Sequence, residues 1–151
     1  MKFAQSICAV ALTSGLVASS ALADNKPAEL VEQRQAAMTL IRKYFGPVGA
    51  MVNDKRPYDA NVVAKNTAYL EVLAQLPWDG FDPTTVGEKG SHAKPDTYKD
   101  KAKFDGFAKD LETAMAKLAA AGKGGDRAAV KTAFGDAGKV CKSCHDSFSE
   151  K

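Results

Sequence analysis

The chain has 151 residues, a formal net charge of +3 and 45% hydrophobic residues. That is enough for one packed core and too little for two ordinary domains. Its 21 basic and 18 acidic residues are interspersed, with no basic block of the kind that binds nucleic acid.

Residues 1–23 read as an export signal. Lys2 gives the positive start, residues 7–17 the apolar run, and Ala21-Leu22-Ala23 the small-x-small cleavage box. A membrane anchor is the weaker reading, because a span needs about 20 strongly apolar residues and this stretch is rich in small ones before it opens into Asp24-Asn25-Lys26. Cleavage is expected after Ala23, leaving a mature domain of residues 24–151 in the periplasm, free of the membrane. Cys8 leaves with the signal, so the mature chain keeps Cys141 and Cys144. In an oxidising compartment that pair calls for an explanation.

Apolar residues at helical spacing, from Leu30 and Val31 through Met38, Ile41 and Phe45 to Val52, predict a first helix from Pro27 to about Asn53. Gly46-Pro47 is expected to kink or loosen its last turns. Arg56-Pro57-Tyr58-Asp59 resets the chain, and Val62, Val63, Leu70, Leu73 and Leu76 predict a second helix up to Pro77. Residues 77–95, rich in Gly, Pro, Asp and Thr, read as a long loop of the kind that is often functional. A third helix is predicted from near Pro95-Asp96 through Phe104, Phe107, Leu111, Met115 and Leu118 to the glycines at 122, 124 and 125. The fourth starts at the N-cap candidate Asp126 and runs to about Phe148. With no strand-like alternation, the fold expected is all-α: an antiparallel up-down-up-down four-helix bundle whose core suits a cofactor.

The chemistry lies in Cys141-Lys142-Ser143-Cys144-His145. Two thiols in this order form thioethers to the porphyrin vinyl groups of haem c, and the following histidine ligates the iron. Positions 141, 144 and 145 are i, i+3 and i+4 on one helix face. The motif occurs once, so one covalently attached haem is expected, with Cys141 and Cys144 as attachment points and His145 as axial ligand. A thioredoxin-like disulfide needs a strand-helix-strand setting that is missing. A zinc site of Cys141, Cys144, His145 and His92 departs from the usual spacings.

Candidates for the opposite face of the iron are Met38, Met51, Met115 and His92. In the expected topology the start of the first helix and the end of the fourth share one end of the bundle, which makes Met38 the best placed. Two roles stay open for it. A bonded thioether gives six-coordinate iron suited to electron transfer, and an unbonded one leaves an apolar position for a small gas.

Arg34-Gln35-Ala36-Ala37-Met38, Pro57-Tyr58-Asp59-Ala60, Leu76-Pro77-Trp78 and Phe134-Gly135-Asp136-Ala137-Gly138, together with the haem motif, resemble the cytochromes c prime, the class II c-type cytochromes. The resemblance implies a four-helix bundle, a homodimer through the first two helices, and five-coordinate iron that binds nitric oxide or carbon monoxide and passes electrons to redox partners. It also implies Met38 as the distal residue, His145 as the proximal one, and Arg34 and Gln35 beside the haem propionates, where a guanidinium suits a carboxylate. Ser149 departs from the basic residue that many members carry four positions after the haem histidine. A low-spin branch, with a first-helix methionine as sixth ligand, keeps the electron-carrier alternative for Met38. No His, Asp or Glu is expected beside the distal site, Glu32 and Arg42 being expected to face solvent, so no catalytic residue is assigned and the chain is not expected to be an enzyme.

Overall fold

The structure, a computed structural model, describes residues 26–150; the expected signal and its cleavage site lie outside them. Helix α1 (Pro27–Val52) starts on a proline, whose fixed φ suits the first helical position. It continues through Pro47 to Val52, one residue short of the expected end. Val48 and Val52, just beyond the proline, are fully buried, and tertiary packing of this kind outweighs the lost backbone bond.

Helix α2 (Ala60–Leu73) is capped by Asp59, whose carboxylate accepts from the amides of Asn61 and Val62 at 2.9 and 3.0 Å. It stops short of Pro77, in two turns closed by Gln75 and Leu76 amides, since a residue before proline is pushed out of the helical region. The long loop is more regular than expected and carries two single-turn 3₁₀ segments, Trp78–Gly80 and Pro83–Thr85. The expected third helix is in two pieces, a short α3 (Asp96–Lys99) and α4 (Lys101–Gly124). Asp100 leaves the helical region between them and turns its carboxylate to the amide of Lys103, which caps α4. Gly125, at φ 75°, ends α4 in the left-handed conformation that glycine adopts without strain. Asp126 then caps α5 (Arg127–Phe148) through the amide of Ala128 at 2.9 Å.

The four long helices close a ring: α1 packs on α2 and α5, and α4 packs on the same two. Met51, Leu70, Met115, Leu118 and Val130 are buried at its centre. Each such side chain contributes about 1.5–3 kcal/mol by leaving water. The α2–α4 seam is closest where Gly122 faces Thr67, and the α1–α5 seam where Gly49 faces Phe134. Phe134 also stacks on Phe45, with centroids 4.1 Å apart. Toward the start of α1 and the end of α5 the same two helices flank a cavity instead. Among the described residues no strand forms, and an isolated antiparallel bridge joins Ala93 to Ser149. No helix among them is long and apolar enough to cross a membrane.

A methyl group on Gly122 would sit 2.2 Å from Thr67 Oγ1, whereas one on Gly135, in mid α5, would meet nothing within 4 Å. Gly122→Ala is therefore expected to destabilise the fold by about 1–3 kcal/mol, and Gly135→Ala to stabilise it by about 0.5–1 kcal/mol. Urea unfolding of the two variants beside the wild type checks both signs.

Candidate functional site

The cavity between α1, α4, α5 and the long loop has a volume of about 850 Å³, within the range of sites that enclose a sizeable ligand. From α5, one turn after another, come Gly138, Cys141, Cys144, His145 and Phe148. The α1 wall opposite carries Arg34, Gln35, Met38, Ile41, Arg42 and Phe45, and this spacing of three and four residues is one helix face. The loop adds Trp78, Phe81 and His92, and α4 adds Phe104, Phe107 and Leu111.

The aromatics form one continuous wall. Trp78 lies 6.1 Å from Phe104, Phe81 4.8 Å from Phe104, Phe104 5.6 Å from Phe148, and Phe148 5.9 Å from Phe107, measured between centroids. Three of these contacts are edge-to-face and the Phe81–Phe104 pair is tilted, geometries that aromatic pairs favour.

Arg34 is buried, at 4% exposure, rather than on a solvated helix face. Its Nη1 donates to the carbonyl of Gly80, to Thr85 Oγ1 at 2.9 Å and to Tyr98 Oη at 3.2 Å, and its Nη2 donates to Ser91 Oγ at 2.7 Å. The guanidinium also lies 4.6 Å from the Phe81 ring centroid. Gln35 Nε2 donates to the Gly90 carbonyl at 2.8 Å. All of these partners are neutral, and the ion pairs formed among the described residues do not include Arg34. A buried cation without a counter-charge is costly. The Trp78 indole N–H is likewise buried, on the same cavity, with no acceptor. A carboxylate-bearing planar group in the cavity would answer both, and Gly138, which has open space where a side chain would stand, leaves room for it beside the cysteines.

Cys141 and Cys144 are unpaired, half-buried thiols. Burial pushes both thiols above the ordinary cysteine range, and for Cys144 the neighbouring Cys141 adds to the rise. His145 is exposed along the cavity. Met38 is half-buried on the facing wall, whereas Met51 and Met115 are fully buried in the core away from the cavity. Among the described residues no three His, Cys, Asp and Glu side chains cluster as metal ligands, so His92 does not complete a zinc site with the motif. Glu32 is exposed, as expected from sequence. Arg42 is exposed too, but it lines the cavity mouth and does not simply face away. Sequence reasoning passed over Thr85 and Ser91, which hold Arg34, because polar residues in an aperiodic loop give no signal of their own; Tyr98 was placed on the third helix, but its bond to Arg34 was not foreseen.

A family model described as cytochrome c' matches residues 29–149. Cytochrome c' of Rubrivivax gelatinosus is 46% identical over 83% of this chain and 98% of its own length. Its crystal structure superposes with a TM-score of 0.81. A nitric oxide complex of a point mutant of cytochrome c prime from Alcaligenes xylosoxidans is 37% identical over 83% of this chain and 98% of that one, with a TM-score of 0.77. Cytochrome c-554 of Cereibacter sphaeroides is 37% identical over 96% of this chain and 97% of its own.

The raised thiols carry a pH dependence in the haem-free chain. Above the ordinary thiol range the unfolded chain loses its protons first, so the folded state binds more protons and unfolding free energy falls as pH rises. Denaturant unfolding of haem-free protein from neutral to alkaline pH is expected to show this loss, and a Cys141→Ser, Cys144→Ser variant to lack it.

Proposed function

The chain belongs to the cytochrome c' family, and from that premise we propose that it is a periplasmic haem c protein whose iron keeps an open distal position for nitric oxide or carbon monoxide. Cys141 and Cys144 are the proposed attachment points for one haem per chain, and His145 the proposed axial ligand. Bound there, haem supplies an iron with a free coordination position and a one-electron couple.

The observation that carries this reading is the wall facing the motif. Met38, Ile41 and Phe45 present apolar groups across the cavity, and Met38 is already packed against the hydrophobic core. A small uncharged gas suits such a wall. Acid-base catalysis would need a proton carrier there, and the ionisable side chains on the α1 wall are Arg34 and Arg42, both permanently charged. The chain is therefore read as a binding protein and not an enzyme. The nitric oxide complex of the Alcaligenes relative supports the choice of gas.

Arg34, Gln35 and Trp78 are the proposed holders of the propionates. The buried guanidinium gains the counter-charge it lacks, and the indole N–H gains an acceptor. A second reading, electron transfer through six-coordinate iron with Met38 as sixth ligand and a redox protein as partner, draws on one fact: of the methionines among the described residues, Met38 alone lines the cavity.

The proposal extends to assembly and export. Leu40, Tyr69, Val72 and Leu76, all large apolar residues, are exposed on α1, α2 and the turn after it, and a second copy pairing through this face would cover them. Residues 1–23 are the proposed export signal, with residues 24–151 as the mature chain.

Visible spectra of the haem-loaded protein test the central reading. Under it the resting protein is high-spin, its bands move on adding nitric oxide, and Met38→Ala leaves the resting spectrum nearly unchanged. Low-spin bands unmoved by gas, converted to high-spin by Met38→Ala, would establish the electron carrier instead. For the pairing face, Val72→Glu is expected to shift sedimentation from dimer to monomer without altering the visible spectrum.

A further inference from the structure

The last turn of a helix leaves carbonyls without internal partners, and in α5 that turn is the one carrying His145. Here the long loop supplies the missing donors from outside the helix. The Lys94 amide donates to the Phe148 carbonyl at 2.9 Å, and Thr97 Oγ1 donates to the same oxygen at 3.3 Å. Lys94 Nζ donates to the Asp146 carbonyl at 3.1 Å, and the Glu150 amide donates to the His92 carbonyl at 2.8 Å. Residues 92–94 thus lie antiparallel to residues 148–150 and cap the helix end across the chain.

The same short stretch is what Arg34 holds. Its Nη2 bonds Ser91, next in the chain to His92, and its Nη1 bonds Tyr98, next to Thr97. Both ends of the capping segment are therefore one residue from a buried guanidinium on the opposite wall of the cavity. Tyr98 and Thr85 are also tied to each other at 2.8 Å, and Gly80 packs so closely on α1 that a side-chain carbon there would lie 2.8 Å from Arg34 Cβ.

We infer that Arg34 is a positioning residue for His145, acting through the loop: it fixes residues 91–98, and these fix the last turn of α5 and with it the orientation of the imidazole. This goes beyond propionate binding and rests on the proposed ligation by His145. It makes the proximal geometry depend on a residue of the distal-side helix.

The test uses the ferric holoprotein with two readouts, the hyperfine-shifted proton resonances of the His145 ring and hydrogen exchange of the Lys94 and Glu150 amides. Arg34→Leu removes the guanidinium. Ser91→Ala with Tyr98→Phe keeps Arg34 and cuts two of its holds on the loop, so it remains informative if Arg34→Leu fails to fold. The expected result is the same for both variants: the ring resonances move, and the two amides exchange about tenfold faster or more, while the Leu118 amide in the core is unchanged. Faster amide exchange with unmoved ring resonances would overturn the inference, because the loop would then be held without orienting the histidine. Unchanged exchange would overturn it as well. Absence of hyperfine-shifted ring resonances from the wild type would overturn the proposed ligation together with this inference, whereas their presence with unresponsive variants overturns this inference alone.

Discussion

A guanidinium buried at 4% exposure with only neutral partners is the constraint around which this protein is arranged. Withdrawing a cation from water costs several kcal/mol unless its N–H groups are met and a counter-charge is near. Arg34 meets the first requirement by drawing the loop onto α1, through a carbonyl and three hydroxyls. Once the loop follows that path, Trp78 and Phe81 fall into the aromatic wall with Phe104 and Phe148, and residues 92–94 reach the end of α5. The second requirement is the one that the proposed propionate contacts would meet.

The bundle itself explains where the cavity lies. The α1–α5 seam is closed at one end by the stacked rings of Phe45 and Phe134 and by Gly49, whose missing side chain admits the Phe134 ring. At the other end α1 presents Met38 and Ile41 while α5 presents Gly138 and the cysteines, and the helices face each other across open space. A covalently attached planar group suits this arrangement, because thioethers fix it to one wall and the opposite wall need only be apolar and close.

Much of this was legible in the sequence, and the division has a physical basis. The helix periods placed Cys141, Cys144 and His145 on one face, and simple counting along antiparallel helices put Met38 across from them rather than Met51 or Met115. Local chemistry of that kind survives folding because it depends only on residues three and four apart. The burial of Arg34 did not show, since it follows from the route of an aperiodic loop that brings Thr85 and Ser91, and α3 with Tyr98, onto α1 from tens of residues away. The break at Asp100 was hidden because an aspartate serves equally on a helix surface and as a cap. The first helix runs to Val52, close to the bound its period predicted, with Val48 and Val52 in the core just past Pro47. Arg42 read as a solvent-facing residue and is exposed, yet its place at the cavity mouth depends on how α1 and α5 separate.

The most direct test of the central claim, an open distal position over iron held by His145, is the electron paramagnetic resonance spectrum of the ferric, haem-loaded wild type. An axial high-spin signal, or one admixed with intermediate spin, that gives way on reduction and addition of nitric oxide to a signal of nitrosyl iron is the result expected. A rhombic low-spin signal, with a reduced protein that takes up no nitric oxide, would contradict it and identify Met38 as a bound ligand.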